Sequence, residues 1–204
     1  MHETRLSQRN MGCLLVGGLA SQYAVTMVPA HEPALTLSEW IVLSLICEGR
    51  THGNAVTQQL ARSGEVGRIW SVPRAMVYRS ISRLTDLGLI RSAGEEPTSQ
   101  GPVRQLVEAT DEGRVMAAAW QHRPAQHTRD IRSELLVKLA LLDRSGVDPH
   151  DLLTAQRVLL APIADALQDQ VSSATGFDRT LMLWRYETAT ATLHFLDALV
   201  TAPP

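Results

Sequence analysis

Three successive helix-patterned segments, two strand-forming runs split by a Gly- and Pro-rich stretch, and a long helix-patterned remainder predict a mainly α protein. The architecture implied is a winged helix-turn-helix DNA-binding domain followed by an α-helical dimerisation domain. Expected boundaries are an N-terminal extension without order at 1–34, the winged unit at 35–122, a linker at 123–130 and the dimerisation domain at 131–204.

In the first segment, LSEWIVLSLICEG, residues Trp40, Leu43 or Ser44, and Ile46 or Cys47 make a stripe, and Gly49 is the expected stop. The second, THGNAVTQQLARSG, has Thr51 or His52 as cap, turns Ala55, Val56 and Leu60 inward, and is expected to close at Gly64. The third is the most informative. At 100° per residue Val77, Ile81 and Leu84 fall together with Leu87 at the margin, while Ala75, Tyr78, Arg79, Ser82 and Arg83 share the opposite side.

Arg supplies fixed charge and a planar donor fork, Tyr and Ser supply hydroxyls, and a small Ala allows close approach to a groove. Taken alone, the pattern also fits an ordinary amphipathic surface helix. LGLIRSA and VRQLVEA, separated by GEEPTSQGP, read as the hairpin that completes the winged fold.

Beyond the hairpin, Thr110 is placed to cap a helix with Asp111 and Glu112 in its first turn, running to about His122. Pro124 breaks it, and RPAQHTRD reads as a polar connector and hinge. A helix from about Asp130 carries Ile131, Leu135, Leu136, Leu139 and Leu142. After a turn at Ser145–Pro149, Leu152, Leu159, Ile163, Ala166 and Gln170 recur near a coiled-coil spacing, as do Leu153, Leu160 and Leu167, with Pro162 expected to kink the helix. The last helix, from about Asp178 to Val200, aligns Leu181, Trp184, Thr188, Ala191, Phe195 and Ala198.

Two such helices bury their apolar sides most simply against a second copy, giving a homodimer. The expected dimer contacts are Leu152, Leu159, Ile163, Leu167, Leu181, Trp184 and Phe195. Folding back onto the DNA-binding domain within one subunit is the competing arrangement.

Composition narrows the function. The chain has 204 residues, 45% of them hydrophobic, and a formal net charge of −2, so specificity for a polyanion must come from a local patch. Such a patch spans Arg68 to Arg104, where six arginines oppose Asp86, Glu95 and Glu96 for a local net of +3. Only Lys138 among the 19 basic residues is lysine, so arginine enrichment also reflects general usage. Cys13 and Cys47 lack disulfide or metal spacing, which fits a reducing cytoplasm, and Cys47 reads as a buried small hydrophobe. The seven histidines show no metal-binding spacing, and His52 reads as a helix-start residue.

No metal, cofactor or enzymatic chemistry is expected, because no nucleophile–base pair, phosphate-cradling loop or paired carboxylates occur. The apolar run from Met11 to Leu19 is too short to span a bilayer. Residues 1–26 are expected to be a poorly ordered leader arising from a start codon placed too early, with Met27 just upstream of the first helix.

Several blocks in order carry a family resemblance: HGNAV (52–56), Trp70 followed by VYRSISRL (77–84), LGLI (87–90), GPVR (101–104) and TDEGR (110–114). Over about residues 35 to 200 the chain resembles the PadR family of bacterial transcriptional regulators. RSELLVKLALL (132–142) looks like the start of the helical C-terminal part in the branch typified by virulence gene activators.

The resemblance implies a homodimeric DNA-binding regulator, in this family most often a repressor, acting on a palindromic operator. The residues expected on double-stranded DNA are Arg74, Ala75, Tyr78, Arg79, Ser82, Arg83, Arg91 and Arg104. Two departures stand out. Pro73, Arg74 and Ala75 replace the Ser-Pro-Gly of many relatives, moving the expected N-cap to Ser71, and Glu95 and Glu96 place repulsive charge at the wing tip. A small-molecule effector is left open, with Trp120, Trp184 and Tyr186 as pocket candidates against simple packing roles. A protein-interaction adaptor on the same scaffold, without strong DNA binding, is the alternative function.

Overall fold

The computed structural model describes residues 33–97 and 103–201; the expectation for the leader and part of the GEEPTSQGP stretch, residues 98–102, lie outside this range. Helix α1 (Leu37–Cys47) is the centre of the head. Thr36 and Glu39 form a reciprocal capping box at its start. Every residue from Glu39 to Ile46 is buried, so α1 is a core helix rather than the one-sided stripe expected. Neighbours surround it: α3 (Arg74–Asp86), α4 (Asp111–His122) and the short α2 (Gly53–Gln59).

His52 caps α2, its Nδ1 accepting the Ala55 amide at 3.1 Å. The helix stops at Gln59 instead of Gly64. Gly64 lies so close to the Gln59 carbonyl that a Cβ there would sit 2.2 Å from the oxygen, and the chain turns tightly. The expected Ser71 cap is also displaced. Val72 is drawn into the core, its amide donating to the Leu60 carbonyl at 3.1 Å, and as the residue before Pro73 it is biased to extended backbone. Pro73 therefore occupies the N-cap position without a side-chain cap, and α3 begins at Arg74.

The hairpin pairs β2 (Ile90–Glu96) with β3 (Arg104–Ala109), antiparallel. β2 runs farther than expected because a bulge between Ser92 and Gly94, with Gly94 at φ +99°, lets Glu95 and Glu96 remain in register with Gln105 and Arg104. A third strand, β1 (Thr51–His52), joins the outer edge of β3 opposite Val107 and Leu106.

Two cores meet at helix α5 (Leu136–Ser145). Val137 and Leu141 join the head core around Trp40, Ile41, Leu43 and Leu84. Leu142, with Ile131 and Leu135 from the irregular turns before α5, joins a second core with Leu152, Leu153 and Leu160 of α6 (His150–Ser173) and Ala189 and Leu196 of α7 (Gly176–Thr201).

The connector at 123–130 is held rather than free. Ala125 is buried, and the buried Gln156 amide grips it twice, accepting from its N–H at 2.7 Å and donating to its carbonyl at 3.0 Å. Lys138, fully buried, donates to the Arg123 carbonyl at 2.7 Å and lies over Trp120, itself stacked on Trp40 at 5.5 Å. Arg144 closes the other end of α5 through paired bonds to Glu48, at 2.8 and 2.7 Å, and a further contact with Glu65.

Helix α6 continues through Pro162 and lies along α7, with Arg157 and Asp197 paired at 2.6 Å.

Candidate nucleic-acid interface

Helix α3 separates its two faces sharply. Val77, Ser80 and Leu84 are buried, with Ile81 half-buried, whereas Arg74, Ala75, Tyr78, Arg79, Ser82 and Arg83 are all exposed. Ser80 is the one polar residue on the packed side that periodicity alone did not assign. The head thus presents a continuous Arg–Tyr–Ser surface on a helix anchored by its other side.

The arginines on and near this surface are not equivalent. The Arg74 guanidinium lies over the Tyr78 ring, 5.5 Å from its centroid, and Arg79 reaches the Met76 sulfur at 3.6 Å. Neither has an acidic partner among the described residues. Arg83 is instead pinned, its Nε 3.1 Å from Glu39 and its Nη2 donating to the Ala34 carbonyl at 3.2 Å. On the wing, Arg91 pairs with Glu108 at 2.9 Å and Arg104 with Glu96 at 3.4 Å; Arg50 also approaches Glu108.

The hydrogen bond from Arg91 holds the Glu108 carboxyl below its usual range. Both wing pairs are direct cross-strand partners, so the hairpin register alone, once drawn, reveals them. Much of the local charge excess read from the sequence is therefore balanced inside the head; of the six arginines in the patch Arg68, Arg74 and Arg79 keep no acidic partner among the described residues, and on α3 the uncommitted cations are Arg74 and Arg79.

A missed contributor lies on α2. A Cβ built on Gly53 would meet the Tyr78 ring at 2.8 Å, so the glycine admits that ring. Its signal in the sequence was the glycine of HGNAV opening a helix, where a side chain ordinarily stands.

Residues 42–119, which run from within α1 through α2, α3 and the hairpin into α4, match the model described as the Transcriptional regulator PadR-like family. Over this segment the chain is similar to the PadR-like family. No curated protein matches the chain in sequence. Among solved structures, Bacillus subtilis PadR in complex with operator DNA is 20% identical, with 81% of this chain and 98% of that chain covered at a TM-score of 0.42. Bacillus subtilis PadR in complex with p-coumaric acid is 17% identical, with 82% and 97% covered and a TM-score of 0.38. The PadR-like regulator BC1756 from Bacillus cereus is 16% identical, with 84% and 97% covered and a TM-score of 0.37.

Outside the PadR-like segment, the residues expected at a dimer contact divide. Leu152 is fully buried in the subunit's own second core, because α6 packs its Leu152, Leu153 and Leu160 side against the α5 region and α7. Leu159, Ile163, Leu167 and Leu181 are half-buried. Trp184 and Phe195 are exposed, and with Phe177, Leu183 and Leu199 they leave α7 with an open apolar side.

Between α7 and the turn before α5 lies a cavity of about 600 Å³ lined by Ile131, Leu136, Trp184 and Phe195, with Arg132 and Glu187 at its polar side. Of the three aromatics considered for a pocket, only Trp184 lines it; Trp120 is stacked in the head core, and Tyr186 is half-buried away from the lining. Among the described residues no helix is long and apolar enough to cross a membrane, and no cluster of His, Cys, Asp or Glu is arranged to hold a metal.

Proposed function

We propose that this PadR-like protein is a sequence-specific DNA-binding transcriptional regulator, a cytoplasmic repressor that binds a palindromic operator as a homodimer. The observation that carries this reading is the exposed face of α3, where Arg74, Ala75, Tyr78, Arg79 and Ser82 stand together on a helix whose opposite side is buried. α3 would enter the major groove, Arg74 and Arg79 supplying charge and donor forks, with Ala75 admitting close approach. The paired wing arginines, Arg91 and Arg104, would exchange their carboxylate partners for phosphate only in part, leaving the wing a secondary contact.

The winged unit is placed at 35–122 and the dimerisation part at 131–204, in the manner of the virulence-activator branch, with Val137 and Leu141 of the latter packing into the head core. In the dimer, the open side of α7 with Leu181, Trp184 and Phe195 would meet its counterpart, joined at its margin by Leu159, Ile163 and Leu167. A twofold dimer sets two α3 helices about 34 Å apart, or a multiple of that distance, and so demands a symmetric site. The cavity beside Trp184 is suited to a small amphipathic effector whose binding would alter that spacing.

Selection of bound sequences from random duplex DNA tests the whole reading. A palindromic consensus with half-sites one helical turn or a multiple apart is the expected result; recovery of no enriched sequence would overturn it. The internal neutralisation of Arg83, Arg91 and Arg104 favours a second reading, an interaction adaptor on the same scaffold. An adaptor would show only weak, non-selective retention of DNA in the same experiment.

A further inference from the structure

We propose that Gly53, on α2, is a positioning residue for DNA reading by α3: by having no side chain it admits the Tyr78 ring, which in turn carries the Arg74 guanidinium. The proposal rests on the assignment of α3 as the reading helix. A Cβ at position 53 would lie 2.8 Å from Tyr78 Cε1, 3.0 Å from Cζ and 3.2 Å from the hydroxyl oxygen. The ring's outer edge therefore lies against the first turn of α2. Arg74, one helical turn before Tyr78, holds its guanidinium carbon 5.5 Å from the ring centroid, within the range where a cation is attracted to an aromatic face. Gly53, Tyr78 and Arg74 thus form a relay from the first turn of α2 to the exposed charge.

The glycine is not required by its own backbone. Gly53 is not among the glycines at positive φ, and alanine is the better helix former. The atoms an alanine methyl would meet are the far end of a side chain that can rotate away, not main chain. Gly53→Ala is accordingly expected to preserve the fold and to act by swinging Tyr78 outward, which removes the surface over which Arg74 lies. Arg74, with no acidic partner among the described residues, then loses its fixed direction.

The test is a double-mutant cycle on the full chain, read by fluorescence anisotropy with the duplex selected from random DNA and with a scrambled duplex. Gly53→Ala is expected to weaken binding to the selected duplex by about three- to thirtyfold, the range of a cation–aromatic contact, and to change the scrambled duplex by less. In a Tyr78→Ala background the same change is expected to cost less than about twofold, as expected when two residues act through one contact. Equal losses in both backgrounds, or undiminished binding by Gly53→Ala, would overturn the proposal while leaving the DNA-reading assignment standing. Absence of binding by the unaltered chain would remove that assignment and this proposal together. Should Gly53→Ala fail to fold, Arg74→Ala against Tyr78→Ala measures the other half of the relay, and additive losses there also overturn it.

Discussion

Arg83, on the exposed face of α3, is held by Glu39 of α1 at 3.1 Å, and the same carboxylate accepts the Thr36 amide at 2.7 Å and the Thr36 hydroxyl at 3.0 Å. One nearly buried acid thus caps the central helix and fixes an arginine that periodicity alone assigns to DNA.

This pairing separates Arg83 from Arg79. A cation that neutralises a phosphate on binding releases a counterion, and each contact contributes about 0.9 to the slope of log affinity against log salt. Arg79→Ala is expected to reduce the slope by about that amount. Arg83→Ala is expected to reduce it by less than half as much and to lower folding stability by about 0.5–1 kcal/mol, since the pair is partly exposed. Salt titrations of operator binding and urea unfolding decide the matter; matching slope losses would place Arg83 on the backbone as well.

Lys138, on α5 where the two cores meet, is the fully buried cation among the described residues, over Trp120 and 2.5 Å from Glu134. Burial pushes its pKa below the usual lysine value, opposed by Glu134. Because the folded value lies below the unfolded one, protonation favours the unfolded chain, and stability from this group rises as pH climbs toward 10.5. Lys138→Met keeps the stem volume and leaves Glu134 able to regain water, so its net effect is expected within about 1 kcal/mol. Lys138→Ala opens a void beneath Trp120 and is expected to cost about 2–4 kcal/mol. Urea unfolding of both variants checks the order; a Met variant as damaged as the Ala variant would mean that the charge, not the packing, holds the junction.

Cys47 is half-buried at the end of α1, its thiol directed at the Gly113 carbonyl at 3.9 Å. Burial raises its pKa from 9.0 to about 11, against the pull of Arg114. The protonated thiol is favoured in the fold, so its contribution to stability is full below pH 9 and lost as pH rises through about 11. At pH 8 the thiolate fraction falls roughly a hundredfold, and alkylation should slow at least in proportion. In a Cys13→Ser background, iodoacetamide labelling of the native chain is expected to be about a hundredfold slower than in urea. Comparable rates would show an accessible thiol and overturn the buried reading of Cys47.

The face of α3 was legible because a single period sorts apolar from polar residues without knowing their neighbours, and the wing because its runs are bounded by Gly and Pro. What escaped depends on contacts distant in sequence. β1 is two residues long and visible only against Val107 and Leu106. The repeat in α6 announces an apolar seam but not whose surface fills it, and Leu152 is claimed by its own subunit. The glycine of TDEGR was legible as a motif letter; its cause is that a Cβ on Gly113 would sit 2.1 Å from the Leu89 carbonyl oxygen, where α4 crosses the start of β2.

Trp184 offers the sharpest test of assembly. It is 70% exposed within the subunit, and Phe177 on the same helix is 78% exposed. Helix α7 has 26 residues but buries only Ala189 and Leu196, so its apolar side is largely unsatisfied in one copy, and such patches mark association surfaces. Because so much of Trp184 contacts no part of its own subunit, Trp184→Ala is expected to leave folding nearly unchanged while weakening self-association by about 2–4 kcal/mol, as for a central aromatic anchor. Sedimentation equilibrium should show the wild type as a dimer and the variant as monomer at micromolar concentration, with unaltered far-ultraviolet dichroism. Operator binding by the variant should then become steeply concentration-dependent, since two heads must assemble on DNA rather than arrive together. A variant that dimerises as tightly as the wild type would move the interface elsewhere on the arm.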